Sequence, residues 1–208
     1  MKLEARHLHY ARGERTLFED LDLGIEVGQA LWLRGANGCG KTSLMRVLAG
    51  LAVPLAGEVR WQGRSITRQR GEYARSYIYL GHAAGLHDDL SAIENLLFAE
   101  AGAGRRCGYA AARTALGKVG LGQVAELPVR QFSQGQRRRA ALARLVLPNA
   151  PALWLLDEPF SALDQQSVEG LTGVLDSHLA NGGMLVYTTH QPIALRGTAA
   201  ELKLGAAC

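Results

Sequence analysis

The chain is poor in cysteine and lysine and has no long apolar run, and each shortage narrows what it can do. Three cysteines, Cys39, Cys107 and Cys208, occur in 208 residues. Their number is odd and none shares C-x-x-C spacing, which argues against a zinc site or a disulfide framework and for a reducing compartment. The longest apolar candidate, Leu145 to Leu156, is broken by Pro148, Asn149 and Pro151, so no segment reads as a membrane-spanning helix. The stretch Met1 to His7 lacks the apolar core of a signal peptide. The expectation is a soluble, cytoplasmic chain. With 48% apolar and 20% charged residues the composition is globular, and the length suits one domain with a real core. The formal charge of +4 is mildly basic. Arginines cluster at 68, 70 and 75, at 105 and 106, and at 137 to 139. They could meet anionic lipid or nucleic acid, but solvated helix faces are the simpler reading.

Only four of the 23 basic residues are lysines, yet Lys41 occupies the key place in Gly35-Ala36-Asn37-Gly38-Cys39-Gly40-Lys41-Thr42. This octapeptide fits G-x-x-x-x-G-K-[ST]. Its glycines let successive N–H groups converge on phosphate oxygens, and a helix beginning near Lys41 adds the positive end of its dipole. Lys41 can reach the β- and γ-phosphates, and the Thr42 hydroxyl can hold Mg²⁺. The cradle is taken as Gly35 to Ser43. Random matches to this pattern in a chain of this composition number on the order of 0.004, so coincidence is a poor account. The flanks agree. Ala30 to Arg34 reads as a buried strand, and Thr42 to Leu51 has helical apolar spacing. Cys39, inside the cradle and near a helix N-terminus, is expected to present a reactive thiol to the phosphates.

Residues 3 to 27 alternate as strands, with a turn near Arg12 to Glu14. Residues 57 to 63 and Tyr77 to Leu80 read as further strands, the latter ending at Gly81-His82. From about 83 to 147 the pattern turns helical, with a capping box at Ser91 to Glu94 and a helix from Arg137 that stops at Pro148. Strand character returns at Ala152 to Leu156, before Asp157-Glu158, and at Met184 to Thr188, before His190. Alternation of strands and helices predicts an α/β fold with a parallel sheet covered on both faces. Ligands in such sheets bind beyond the carboxyl ends of the strands. The octapeptide, Asp157-Glu158 and His190 all follow strand ends.

Asp157 and Glu158 fit a magnesium-holding carboxylate followed by a water-polarising one. Alone, two acids at a strand end could equally be a surface turn; paired with the phosphate loop they gain weight. Phe132-Ser133-Gln134-Gly135-Gln136 opens the arginine-rich helix. Ser133 and Gln136 have plain capping-box spacing, yet a helix N-terminus with a serine hydroxyl and an exposed glycine backbone also binds anions. Both readings stay open.

In this order and spacing, Gly35–Thr42, Ser133–Gln136, Asp157-Glu158-Pro159, Ser161-Ala162-Leu163-Asp164 and Thr189-His190 resemble the ATP-binding subunits of ABC transporters over essentially the whole chain. Tyr79 to His82, Leu90 to Leu96 and Thr188 to Pro192 are most similar to the haem-exporter ATPases of bacterial c-type cytochrome biogenesis. The resemblance implies a P-loop NTPase with a RecA-like parallel sheet core at about 1–82 and 148–208. It also implies an N-terminal antiparallel β part and an inserted helical subdomain at about 83–147. ATP and Mg²⁺ would be bound, with Thr42 and Asp157 at the metal. Glu158, His190 and His82 would serve hydrolysis. Two copies would sandwich ATP, with Ser133, Gly135 and Gln136 closing the opposite copy's site and Asp164 at the interface. Integral membrane subunits of a haem-handling complex would be the partners, at the cytoplasmic face of the inner membrane, and nucleic acid is not expected. Three departures stand out. The signature segment begins Phe132-Ser133-Gln134 where most members have Leu-Ser-Gly. The adenine-stacking slot falls on Arg12, with Tyr10 nearby. His82 stands where most members have glutamine. Other readings are the same engine with another cargo and a soluble ABC ATPase acting on nucleic acid. A GTPase or kinase is disfavoured because no Asn-Lys-x-Asp segment occurs.

Overall fold

The computed structural model describes residues 1–196 and 199–205, so Cys208 lies outside the described residues. Two sheets organise it. The first is antiparallel and contains β1 (Lys2–Arg12), β2 (Arg15–Glu26), β4 (Ala56–Trp61) and β5 (Arg64–Ser65), in the order β2-β1-β4-β5. The second is parallel and contains β3 (Ala30–Arg34), β6 (Tyr77–Leu80), β7 (Leu153–Leu156), β8 (Met184–Thr188) and β9 (Ala199–Lys203), in the order β6-β7-β8-β3-β9.

Along β1 the inward residues are Leu3, Ala5 and then Leu8, so the alternation changes phase. The change falls at a break in pairing with β2, where His7 has φ +49° and its ring lies 2.7 Å from the Asp20 carboxylate. A bulge of this kind lets one strand keep its apolar side inward across a bend.

The central parallel strands are buried on both faces, and the residues of β7 and β8 are buried without exception. One face packs with the antiparallel sheet and α1 (Lys41–Leu48) around Leu33, Leu44, Leu48, Leu155 and Val186. The other packs against α6 (Gln165–Ala180), whose Leu171, Leu175 and Leu179 recur every fourth residue and so form one stripe. A third cluster holds α3 (Ala92–Gly102), α4 (Tyr109–Lys118) and α5 (Gln134–Leu142) together through Ile93, Leu96, Leu116, Val129 and Ala140. A short helix, α2 (Arg70–Ser76), precedes β6. Among the described residues no helix is long and apolar enough to cross a membrane.

Several local expectations change. The helix after the phosphate loop ends at Leu48 rather than Leu51, with Gly50 at φ +69° turning the chain. The arginine-rich helix is α5 followed by a 3-10 turn at Ala143–Val146, ahead of Pro148. The arginine clusters are not all solvated faces. Arg105 and Arg144 grip buried Glu100 at 2.6 and 3.0 Å, and Arg105 also donates to Tyr77 O at 2.9 Å, tying α3 to the start of β6. Burial pushes the Glu100 carboxyl up, but the hydrogen bonds from Arg105 and Arg144 outweigh it and hold it below its ordinary value. Arg138 is buried as well.

Candidate functional site

The carboxyl ends of β3, β6, β7 and β8 deliver Gly35, Gly81, Asp157 and Thr189 to one edge of the parallel sheet. A cleft of about 730 Å³ opens there. Its walls include Asn37, Gly38, Gly40, Lys41, Thr42, Ser43, His82, Asp157, Glu158 and His190, so the structure brings these separate sequence segments together. A larger groove of about 1190 Å³ runs along α6 past Gln191 to Arg196. It contains neither the phosphate-loop residues nor Asp157, Glu158 and His190.

The loop backbone explains its glycines. Gly40 has φ +106° and caps α1 without any side-chain hydrogen bond, leaving N–H groups of the first turn to face an anion. Gly35 has φ +147°, and a Cβ there would come within 2.5 Å of both Cys39 Sγ and Leu204 O. That contact also corrects the expectation for Cys39. Its side chain is only 3% exposed and belongs to the core, so the thiol packs beneath the loop instead of facing the phosphates. The Cys39 N–H closes a turn onto Ala36 O at 3.3 Å.

Lys41 folds back on its own loop, its Nζ 2.7 Å from Gly35 O and 3.1 Å from Ala36 O. These are neutral acceptors, and an ammonium among carbonyls suits exchange for phosphate oxygens. Thr42 Oγ1 donates to Asp157 Oδ2 at 2.7 Å, and Thr188 Oγ1 donates to Asp157 Oδ1 at the same distance. Asp157 is 2% exposed, so its carboxylate is fixed by two hydroxyls in a dry setting. Thr188 also accepts the Glu158 N–H at 2.8 Å. Sequence reasoning missed Thr188. Its role depends on the register of β7 with β8, which pairs Leu156 with Tyr187 and so sets Thr188 beside Asp157.

Glu158 Oε1 is buried and has no hydrogen-bond partner. His190 Nε2 lies 3.4 Å away, close enough for an ionic contact but without hydrogen-bond alignment, while the His190 N–H reaches Oε2 at 3.3 Å. A buried carboxylate oxygen without a partner, on a residue that lines the cleft, is suited to accept from a substrate water. Among the described residues no group of three His, Cys, Asp or Glu forms a metal cage. The Thr42–Asp157 pair instead offers two hard oxygens, which fits Mg²⁺ held jointly with substrate phosphates and water. Residues and group therefore agree.

Of the two adenine-slot residues, Arg12 lines the cleft, whereas Tyr10 stacks on Phe18 with ring centroids 5.7 Å apart and packs against the core. Arg15 lines the cleft too and was not singled out from the sequence. Ser133, Gly135, Gln136 and Asp164 do not join this cleft. Ser133 and Gln136 form a reciprocal capping box at the exposed start of α5, with bonds of 2.8 and 3.2 Å. Asp164 caps α6 through the Ser167 N–H at 2.8 Å, and that hydrogen bond holds its carboxyl below the ordinary value.

Comparison with known proteins agrees with this geometry. Residues 18–161 match the ABC transporter family. The cytochrome c biogenesis ATP-binding export protein CcmA of Dechloromonas aromatica is 48% identical over 98% of this chain and 100% of its own length. The CcmA of Pseudomonas aeruginosa is 47% identical over 98% and 100%. Among solved structures, a dimeric bacterial ABC transporter cassette superposes with a TM-score of 0.83 at 24% identity, covering 97% of this chain and 94% of its own. An ABC transporter ATP-binding protein from Pyrococcus furiosus gives 0.78 at 24%, covering 97% and 98%. At that identity these two attest the fold. The phosphate loop, the paired acids and the near-full-length likeness to the CcmA proteins lead to one conclusion: the chain belongs to the ABC transporter family of ATPases.

Proposed function

We propose that the chain is the ATP-binding and ATP-hydrolysing subunit of a transporter complex in cytochrome c biogenesis. It couples hydrolysis to haem export or to release of a haem-chaperone intermediate. It sits at the cytoplasmic face of the inner membrane, held there by integral membrane subunits. Support for this setting comes from the names of the relatives, which describe export proteins of cytochrome c biogenesis.

The buried Oε1 of Glu158, which has no hydrogen-bond partner, carries the chemical part of the reading. ATP enters with its phosphates along residues 35–43, and Lys41 exchanges the Gly35 and Ala36 carbonyls for β- and γ-phosphate oxygens. Thr42 and Asp157 would hold Mg²⁺, which would supply positive charge to offset that of the phosphates. Glu158 accepts from the attacking water, and His190 orients that carboxylate and meets the γ-phosphate. His82, which also lines the cleft, contacts the same water and reports nucleotide state toward the helical region at 83–147. Arg12 stacks its guanidinium on adenine. Ser133, Gly135 and Gln136 supply an anion-binding helix end to the site of a second copy, and Asp164 lies at the junction.

Affinity capture from native membranes, followed by mass spectrometry and Mg-ATPase assay of the isolated complex, tests this reading. Recovery of haem-binding integral membrane subunits with ATPase activity supports it. Recovery of subunits for another cargo, or salt-sensitive binding to nucleic acid instead, overturns it.

A further inference from the structure

Arg138 is the middle of three consecutive arginines on α5, yet it is only 4% exposed. Its guanidinium donates to four main-chain carbonyls. Nη1 reaches Gly81 O at 2.9 Å, and Nε reaches Pro159 O at 3.2 Å. Nη2 reaches Asp157 O at 2.8 Å and Glu158 O at 2.6 Å. One planar fork thus joins the signature helix to the end of β7 and to the residue before His82. Burial lowers the proton affinity of Arg138, and the Asp157 and Glu158 charges oppose that loss, which places the guanidinium within their field.

The backbone it grips is unusual. Glu158 has φ +50°, a left-handed conformation that L-residues with a full side chain adopt only under constraint. The constraint is visible on both sides of the residue. Thr188 Oγ1 takes its N–H, and Arg138 takes its carbonyl. With both held, the carboxylate projects to the cleft wall beside His190. Neither neighbouring arginine shares this task. Arg137 pairs with Asp88 at 2.6 Å, and Arg139 donates to Val119 O at 3.1 Å.

We infer that Arg138 is a positioning residue for hydrolysis: it holds the Asp157–Pro159 turn in the conformation that aims Glu158, and it ties that aim to the signature helix of the same chain. The inference rests on the reading of Glu158 as the carboxylate that accepts from the attacking water. Lysine offers three donors from one point and cannot span four carbonyls, and glutamine offers two donors without charge.

The test uses the full chain with Arg138→Lys, Arg138→Gln, Glu158→Gln and the double variant Arg138→Gln/Glu158→Gln. Thermal melts check folding, and kcat, KM and ATP affinity are read separately. A misaimed carboxylate predicts a kcat loss on the order of 10–100-fold for Arg138→Gln, with ATP affinity changed by less than about threefold. Arg138→Lys should fall between Arg138→Gln and the parent and serves where the glutamine variant folds poorly. Since Arg138 acts through Glu158, the double variant should be no slower than Glu158→Gln alone. A folded Arg138→Lys or Arg138→Gln with parental kcat overturns the inference while Glu158→Gln remains inactive. Full additivity in the double variant also overturns it, because Arg138 would then act elsewhere. Normal turnover by Glu158→Gln removes the underlying reading of Glu158, and the positioning role falls with it.

Discussion

At the P-loop cleft, Asp157 accepts from both Thr42 and Thr188, and Thr188 accepts the Glu158 N–H, in bonds of 2.7 to 2.8 Å. At the start of α5, Ser133 and Gln136 bond each other, with Ser133 exposed and Gln136 half-buried. Under the proposed function both regions would bind anions, but they are in different states. The cleft is a fixed arrangement on a buried sheet, where the desolvation cost has been met by folding. The α5 end has only the Ser133 and Gln136 N–H groups satisfied by its own capping box, and it lies outside the cleft it would serve. The difference fits the proposal that a single chain supplies the chemistry while a second copy completes the enclosure. Assembly, in this account, controls turnover more than it controls nucleotide binding.

The largest expected effect lies on the cleft side. Glu158→Gln should keep ATP affinity and lose turnover by about 10²–10⁴-fold, the range for a removed general base. Trapped ATP should then hold two copies together, visible by gel filtration. A monomeric variant that hydrolyses normally would remove Glu158 from the chemistry and erase the contrast between the two regions.

A smaller effect comes from Thr188→Val. It keeps the shape but leaves Asp157 Oδ1 and the Glu158 N–H without their partner. Each orphaned buried group costs about 1–3 kcal/mol, so a lower melting temperature and a turnover loss of roughly tenfold are expected. Equal turnover with an unchanged melting temperature would mean that the cleft is less fixed than the distances imply.

These two residues also show where sequence reading succeeds and where it fails. Lys41, Asp157 and Glu158 were legible because their pattern is local: a glycine-spaced loop, or an apolar strand ending in acids. Both capping boxes were legible for the same reason. Thr188 was not, because its partner is thirty-one positions away and only the β7–β8 register joins them. Arg138 was hidden by its neighbours. Three arginines in a row look like a charged face, but consecutive helical residues are about 100° apart, so one of three can point inward. Cys39 misled in the opposite sense. Its place in the loop suggested a phosphate-facing thiol, whereas the left-handed turns of the flanking glycines direct it into the core. β9 went unread because Ala199 to Lys203 has neither an apolar run nor clean alternation, and it is an edge strand of the parallel sheet.

The smallest effect concerns the scaffold beneath the cleft. His178 on α6 stacks on Trp154 of β7 at 3.5 Å, and burial lowers its pKa from the ordinary 6.5, with hydrogen bonds to Met184 and Ala152 carbonyls opposing. Below that ordinary value the unfolded chain takes up a proton that the folded chain resists. Stability is therefore full above about pH 6.5 and declines as the pH falls toward the lowered folded value. Melts from about pH 7.5 down to pH 5.5 should show this decline, and His178→Gln should flatten it. An equal slope in both proteins would show that other groups set the acid sensitivity, and that the sheet under the cleft is not its source.

The central claim is that the cleft of one copy is completed by the α5 end of another. Mixing two inactive variants tests it most directly. Ser133→Arg blocks the α5 end and keeps Glu158, while Glu158→Gln blocks hydrolysis and keeps the α5 end. In a mixed dimer one cleft combines an intact Glu158 with an intact Ser133 from the other copy. The account predicts that the mixture hydrolyses ATP well above the sum of the two variants measured apart. A mixture no more active than that sum, with mixed dimers confirmed by mass, would contradict it.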